Sequence, residues 1–257
     1  MSFLPKKSEA TTDKKSVITL PHGRMVILEE LNEESTDAPS LIEMAQAGQG
    51  GGYVRYCVTD ENTVNTSDAP GMTLRILIRP TMHARHAGRL AALTAVAVAR
   101  AIERHSDLKI SIRWVNDLYA GTRKIGAILT NAQVNTAGYY EYAVIRISLA
   151  IAAADFPPRL GDVVRHVFRN ETVSLPANLA ESIIEEFFTL YDSEEAHAEY
   201  MANYRKRLTV IGRRVKVLTG ARYERGRVTD IDDDACLIVR LRRDRAFLVS
   251  SRSEIIL

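Results

Sequence analysis

Ile112-Arg113-Trp114-Val115-Asn116-Asp117-Leu118-Tyr119, followed by Arg123-Lys124-Ile125-Gly126-Ala127-Ile128-Leu129, decides how this chain is read. Ile110, Ile112 and Trp114 alternate with Ser111, Arg113 and Val115, the two-residue period of a strand with one buried face. Asn116-Asp117 and Gly121-Thr122 supply turn chemistry, and a second extended run starts at Arg123. The expected structure is a β-hairpin with Arg113 on one arm, Asn116-Asp117 at its shoulder and Lys124 at the start of the return arm. Strict alternation puts Lys124, Gly126 and Ile128 on one face, and Ile125, Ala127 and Leu129 on the other. An ammonium beside a residue without a side chain suits a carboxylate or phosphate: Lys124 supplies charge and Gly126 close approach.

Working outward, Tyr139 to Ile151 is expected to be a long strand with Tyr142, Val144, Arg146 and Ser148 on one face. Upstream, Leu90, Leu93, Thr94, Ala97, Val98, Ala101 and Ile102 follow helical spacing, an apolar stripe that should lie on a sheet. Thr73 to Arg79 alternates as a strand that Pro80 ends, and Arg24 to Leu31 is a first strand. Leu41 to Met44 has a strand-like run, after which Gln46-Ala47-Gly48-Gln49-Gly50-Gly51-Gly52-Tyr53-Val54-Arg55 concentrates glycine. Backbone N–H groups of such a loop can wrap an anion or a flat ligand. His83 and His86 lack acidic or Cys partners at ligand spacing and are expected on the surface, and no metal site is expected. After a variable loop beginning at Asp155-Phe156-Pro157-Pro158, Leu179, Ile183, Ile184, Phe187, Phe188 and Tyr191 mark another helix. Ser193 caps a further one reaching about Arg207. From Ile211 short strands separated by Gly220, Asp232-Asp233-Asp234 and Arg243-Asp244 indicate a small β-barrel. Its many arginines, among them Arg214, Arg227, Arg240 and Arg242, are expected to be a solvated surface.

The tandem W-x-N-D-L-Y and R-K-I-x-x-I-L, here Trp114 to Tyr119 and Arg123 to Leu129, resembles the signature of the biotin protein ligases. The resemblance runs from about residue 24 to the end and implies an α+β fold. Its catalytic domain is a mixed, mostly antiparallel sheet packed by helices, of the class II synthetase-like biotin/lipoate ligase kind, followed by an SH3-like barrel. The implied division is a disordered tail at 1–16, a catalytic domain at 17–208 and the barrel at 209–257. It also implies chemistry: biotin and ATP form biotinyl-adenylate, with Mg²⁺, and biotin passes to a lysine of a carrier domain. On this resemblance the catalytic residues are Lys124 on the biotin carboxylate, Arg113 on ATP phosphates, Asp117 orienting or deprotonating the acceptor lysine, and Asn116 fixing the turn or touching the metal. The ligand-binding set is Gln46, Gly48, Gln49, Gly50, Gly51, Gly52, Arg55, Trp114, Gly126, Arg146 and Ser148.

The chain departs from that pattern in three places. Gln49, Gly51 and Gly52 stand where the family loop carries arginines, with Arg55 as the nearby substitute. Gly50 to Val54 also resembles the glycine loop of lipoate ligases, so lipoate or octanoate is the alternative acid. Arg146 and Ser148 stand where the family strand has a Gly and an Asn. Arg146 either restores the charge lost from the loop or fills the pocket, which would leave a non-catalytic relative that binds a carrier domain or a modified ligand. A buried Arg must in either case find an anion.

Composition limits the partners. Hydrophobic content of 46%, charged content of 26% and a net charge of +2 are ordinary for a globular domain and argue for neither a nucleic acid nor a membrane. Cys57 and Cys236 form no metal or disulfide pattern, no signal peptide is evident, and a reducing cytoplasm is the expectation. The length leaves no room for a DNA-binding winged helix, so a carrier domain and a small ligand are the expected partners, with homodimerisation through sheet edges left open.

Overall fold

A computed structural model describes residues 14–31, 39–59, 71–150, 175–219, 222–241, 246–250 and 255–256. An eight-stranded sheet contains β1 (Lys14–Thr19), β2 (Met25–Glu30), β3 (Tyr53–Thr59), β4 (Gly71–Ile78), β5 (Ile110–Arg113), β6 (Asp117–Ala120), β7 (Arg123–Val134) and β8 (Tyr140–Leu149). Their order is β1-β2-β3-β4-β8-β7-β6-β5, antiparallel throughout except for the parallel pair β2 and β3. Strand β1 starts inside the expected tail, and residues 1–13 and 151–174, which include the expected loop, lie outside the described residues.

One face of the sheet carries Val54, Leu74, Ile76, Ile145, Ile147, Ile112 and Leu118 against helix α2 (Ala87–His105). The expected stripe of α2 is buried, but so are Ala92, Ala95, Val96 and Ala99 on its other side. The reason is a second layer: α3 (Leu175–Tyr191) and α4 (Ala196–Arg207) pack over α2, so its middle, residues 92–99, is enclosed all round. Leu41 to Met44, expected to be extended, instead begins α1 (Leu41–Gln46). Ser40 and Glu43 form a reciprocal capping box in which the Glu43 amide donates to Ser40 Oγ at 3.2 Å. Helix α1 covers the opposite face of the sheet through Leu41 and Ala45, packed on Tyr53, Leu77, Tyr142 and Val144.

Strands β9 (Arg214–Thr219), β10 (Arg222–Ile231), β11 (Leu237–Arg240), β12 (Ala246–Val249) and β13 (Ile255–Ile256) form a separate antiparallel sheet of SH3-like barrel type around Val215, Val217, Val228, Leu237 and Val239. Arg214, Arg227 and Arg240 lie side by side across three of its strands and are exposed. Its β10–β11 turn docks on the start of α2. There Asp234 accepts from Arg89 Nε at 2.5 Å and lies 2.7 Å from His86 Nδ1, so His86 belongs to a junction rather than to open surface. Burial raises the Asp234 pKa, but hydrogen bonds from His86 and Arg89 outweigh it, and the carboxyl sits below its ordinary value. Its contribution to stability is therefore complete above the usual carboxylate range and is lost as pH falls through the lowered value. The expected result is that thermal midpoints of the native protein and Asp234→Asn differ near neutrality and that the gap narrows as the pH falls through and below the usual carboxylate range. A constant gap over that range would exclude this ion pair as the cause.

The free edge of β5 is covered by the end of α4. Ile110 O accepts from Arg207 Nη1 at 2.8 Å and Ile112 O from the Thr209 amide at 3.0 Å. Pairing with a second copy through β5 is thereby blocked, whereas β1, with Val17 63% exposed, remains an open edge among the described residues.

Candidate functional site

The stretch read as one hairpin folds as two tight turns in series, because Asp117–Ala120 is a strand of its own between β5 and β7. Residues 114–116 make the first turn, fixed from three directions. Trp114 Nε1 donates to Ala235 O of the barrel at 2.8 Å, Tyr204 Oη of α4 donates to Val115 O at 2.7 Å, and Asn116 Nδ2 donates to Ile128 O. The Ile128 amide returns a bond to Asn116 O at 3.1 Å. Asn116 therefore locks the turn to β7. Trp114 follows Ile110 and Ile112 to the helix side and is buried against the barrel, so it does not line the opposite face where a ligand would sit.

A β-bulge decides where Lys124 points. Register runs Leu118 to Gly126 but Tyr119 to Lys124, leaving Ile125 as the extra residue. Strict alternation fails at that step: Ile125, Gly126 and Ile128 face the helices, while Lys124 shares the other face with Ala127 and Leu129. Gly126 thus faces the helices, away from Lys124. A Cβ there would lie 2.6 Å from both Ser148 O and Leu149 Cδ2, so the glycine is required by packing. Gly126→Ala should cost about 1–3 kcal/mol in urea unfolding, since a backbone carbonyl cannot step aside. A variant as stable as the parent would refute this placement.

On the face away from the helices, Lys124 Nζ lies 2.6 Å from Asp117 Oδ1, with the lysine side chain 37% exposed. Arg113, opposite Asp117 in register, is exposed and lies over the Tyr119 ring with Cζ 4.7 Å from its centroid. Lys124, Asp117 and Arg113 therefore form one charged cluster of two cations and one carboxylate. Two of the three ammonium protons of Lys124 remain for a bound oxygen once Asp117 takes one.

The same face continues along the sheet. One residue row reads Thr73, Ser148, Ala127 and Asp117, a floor of small side chains. The next reads Glu29, Arg55, Arg75, Arg146 and Leu129 across five strands. Arg55, expected to stand in for the loop arginines, is 5% exposed and committed to Glu29 and Pro39 O. It has no free charge to offer. Arg146 Nε is buried without a hydrogen-bond partner.

The glycine stretch lies elsewhere. The amides of Gly48, Gln49 and Gly52 donate to Ala45 O, Met44 O and Leu77 O, so these three N–H groups are unavailable to an anion. Gly48 and Gly52 take positive φ of 92° and 89°, the turn conformation that glycine tolerates. Arg79 ties the loop down, donating to Gln49 O at 3.0–3.1 Å, Ala45 O at 2.7 Å and Glu141 O at 2.9 Å. Gln46, Gly48, Arg79 and Tyr142 border a hollow of ≈ 650 Å³ there. Gly50 and Gly51 complete the turn into β3, with Gly51 pressed to the Ile78–Arg79 backbone. Tyr53, which follows the loop, is level with Val144 on β8, whereas Asp117 beside the Lys124 ammonium is level with Ser148, four residues or roughly 13 Å further along the strand and two strands across. Gln46 to Gly52 and the Lys124 cluster are thus not brought together among the described residues. Sequence alone singled out neither Arg75 nor Arg79 as a functional residue. The available signal was Arg75, a charge between Leu74 and Ile76 in mid-strand.

Among the described residues no group of His, Cys, Asp and Glu could hold a metal, and no helix is long and apolar enough to cross a membrane.

No protein-family model and no curated protein matches this sequence. Solved structures do. A point mutant of the biotin protein ligase from Aquifex aeolicus, in complex with biotin, superposes with a TM-score of 0.67 at 14% identity, over 89% of this chain and 97% of that one. The same organism's ligase in complex with biotin and ATP gives 0.62 at 12%, over 84% and 93%. A biotin protein ligase-like protein of unknown function from a Silicibacter species gives 0.64 at 13%, over 92% and 97%. Eight-stranded sheet, helical layer and terminal barrel together are the fold of the biotin protein ligases, and this chain has that fold.

Proposed function

We propose that the chain is an acyl ligase of the biotin protein ligase type. It joins a carboxylic acid, biotin in the first instance, to ATP as an acyl-adenylate and passes the acyl group to a lysine of a carrier domain. The observation that carries this reading is Lys124, held beside Asp117 on the open face of a sheet shared with ligases solved with biotin and ATP. A carboxylate is a poor acylating agent, and adenylation gives it a good leaving group, so the protein's task is charge stabilisation and positioning. Lys124 holds the acid and the charge that develops on the acyl-phosphate. Arg113, exposed beside it, meets the phosphates of ATP. Asp117 orients the incoming amine and accepts its proton. Asn116, bound to Ile128, keeps this turn in register. Magnesium arrives with the ATP phosphates, because the described residues offer no carboxylate cluster of their own.

The test is a mass-shift assay with ATP, a carrier domain, and biotin, lipoate or octanoate in separate arms. An adduct with biotin supports the first reading. An adduct confined to lipoate or octanoate moves the protein to the alternative acid class, and no adduct with any acid leaves a non-catalytic relative.

A further inference from the structure

The row Glu29, Arg55, Arg75, Arg146 places three arginines and one carboxylate side by side across adjacent strands, on the face that bears Lys124. Glu29 neutralises Arg55. Arg75 reaches only the Cys57 thiol, with Nη1 to Sγ at 4.0 Å, and Arg146 Nε is buried without a partner. Among the described residues no carboxylate reaches either guanidinium. Like charges directly opposite in a sheet repel, and a buried donor without an acceptor is costly, so this pair fits an anion that binds from outside. Lys124, by contrast, already has Asp117.

Spacing says which anion. The Lys124 ammonium sits at Asp117, which is level with Ser148, two residues along β8 from Arg146 and two strands away, roughly 7 Å along the sheet and roughly 10 Å across it. The α-phosphate of an acyl-adenylate is bonded to the acid's own carboxyl oxygen and must sit at Lys124, not at that distance. The intervening floor is Thr73, Ser148 and Ala127, small side chains that leave room for an extended chain. We propose that the acid taken by this face is anionic at both ends, an α,ω-dicarboxylic acid or an acyl chain with an equivalent distal anion. One end lies at Lys124 and the other between Arg75 and Arg146. This rests on the proposed activation at Lys124 and puts a diacid in place of biotin, whose far end is a neutral ureido ring, as the preferred acid. Arg75 and Arg146 are then specificity residues, forming charge-assisted and partly bidentate bonds to the distal group.

The test is calorimetric titration of the full chain with dicarboxylic acids from glutaric to sebacic, with monocarboxylic acids of equal length, and with biotin. Pyrophosphate release with ATP is followed for each acid. A diacid of matching length should bind about tenfold or more tighter than its monoacid. Arg146→Met and Arg75→Met should each erase that advantage, and Arg146→Lys should retain part of it. Methionine removes a half-buried charge at similar volume, so these variants should fold, which far-UV circular dichroism checks. Equal binding of mono- and diacids overturns the inference. So does biotin binding as tightly as the best diacid, or an Arg146→Met variant that loses ATP affinity alone. Diacid preference without pyrophosphate release upholds the inference and refutes activation at Lys124. Pyrophosphate release with biotin and no diacid preference does the reverse.

Discussion

Lys124→Ala should lower acyl-adenylate formation by about 10²–10³-fold in kcat/KM, the usual loss when one preorganised charge is removed from a developing anion. The side chain is 37% exposed and its pairing with Asp117 is at the protein surface, so the fold should hardly notice. Unfolding midpoints of the variant and parent should agree within experimental scatter, which separates lost chemistry from lost structure. Lys124→Arg is not a neutral replacement, because a guanidinium fork beside Asp117 engages the carboxylate bidentately and turns donors away from the substrate. Asp117→Asn supplies the complementary test. Replacing the carboxylate by a neutral amide removes the competing negative charge beside the ammonium, so the acid should bind as well or better, while transfer to the acceptor lysine slows. Activity of Lys124→Ala within a few-fold of the parent would remove the basis for the proposed function and leave only the fold.

Trp114→Ala should destabilise the protein by about 3–5 kcal/mol in urea unfolding, the range for deleting a large buried aromatic side chain. Trp114 is 8% exposed and belongs to the main core, and its indole donates to Ala235 O on the barrel. The same barrel turn offers Asp234 to His86 and Arg89 on α2. Loss of the indole therefore opens a cavity where sheet, helix and barrel meet, and unfolding should broaden or split as barrel and sheet uncouple. Trp114→Phe keeps most of the apolar burial and loses the N–H, which should cost less, about 1–3 kcal/mol. Trp114 is the single tryptophan in the chain, so its fluorescence in the parent reports this junction directly. A loss below about 1 kcal/mol for the alanine variant would mean that the junction is not held by this side chain.

The two variants act on opposite faces, Trp114 in the first turn and Lys124 at the start of the strand beyond the second. Residues 114–116 are held from the helix side by Trp114 and Tyr204, and the strands that follow present Asp117 and Lys124 on the other side. The barrel therefore contributes to the site without touching it, by fixing the turn from which the charged cluster is built. Partial loss of Lys124-dependent activity in Trp114→Phe at full folding would be the signature of that coupling.

Much of this was written in the sequence. Periodicity located α2, β4, β7, β8 and the barrel strands, since burial on one face leaves a period that any reader can count. The tandem motif identified the fold although the structural neighbours share only 12–14% identity with this chain. Local rules also had limits. Leu41 to Met44 gave an apolar run too short to separate strand from helix, and the Ser40–Glu43 box decided it. What only the tertiary structure decided was facing and pairing. The bulge at Ile125 inverts the side of Gly126 relative to Lys124, and a bulge is a property of two strands in register rather than of one sequence. Likewise, that Glu29 neutralises Arg55 while no carboxylate among the described residues reaches Arg75 or Arg146 depends on strands brought together from across the chain. Charge compensation acts over a few ångströms of space, and distance along the chain carries no record of it.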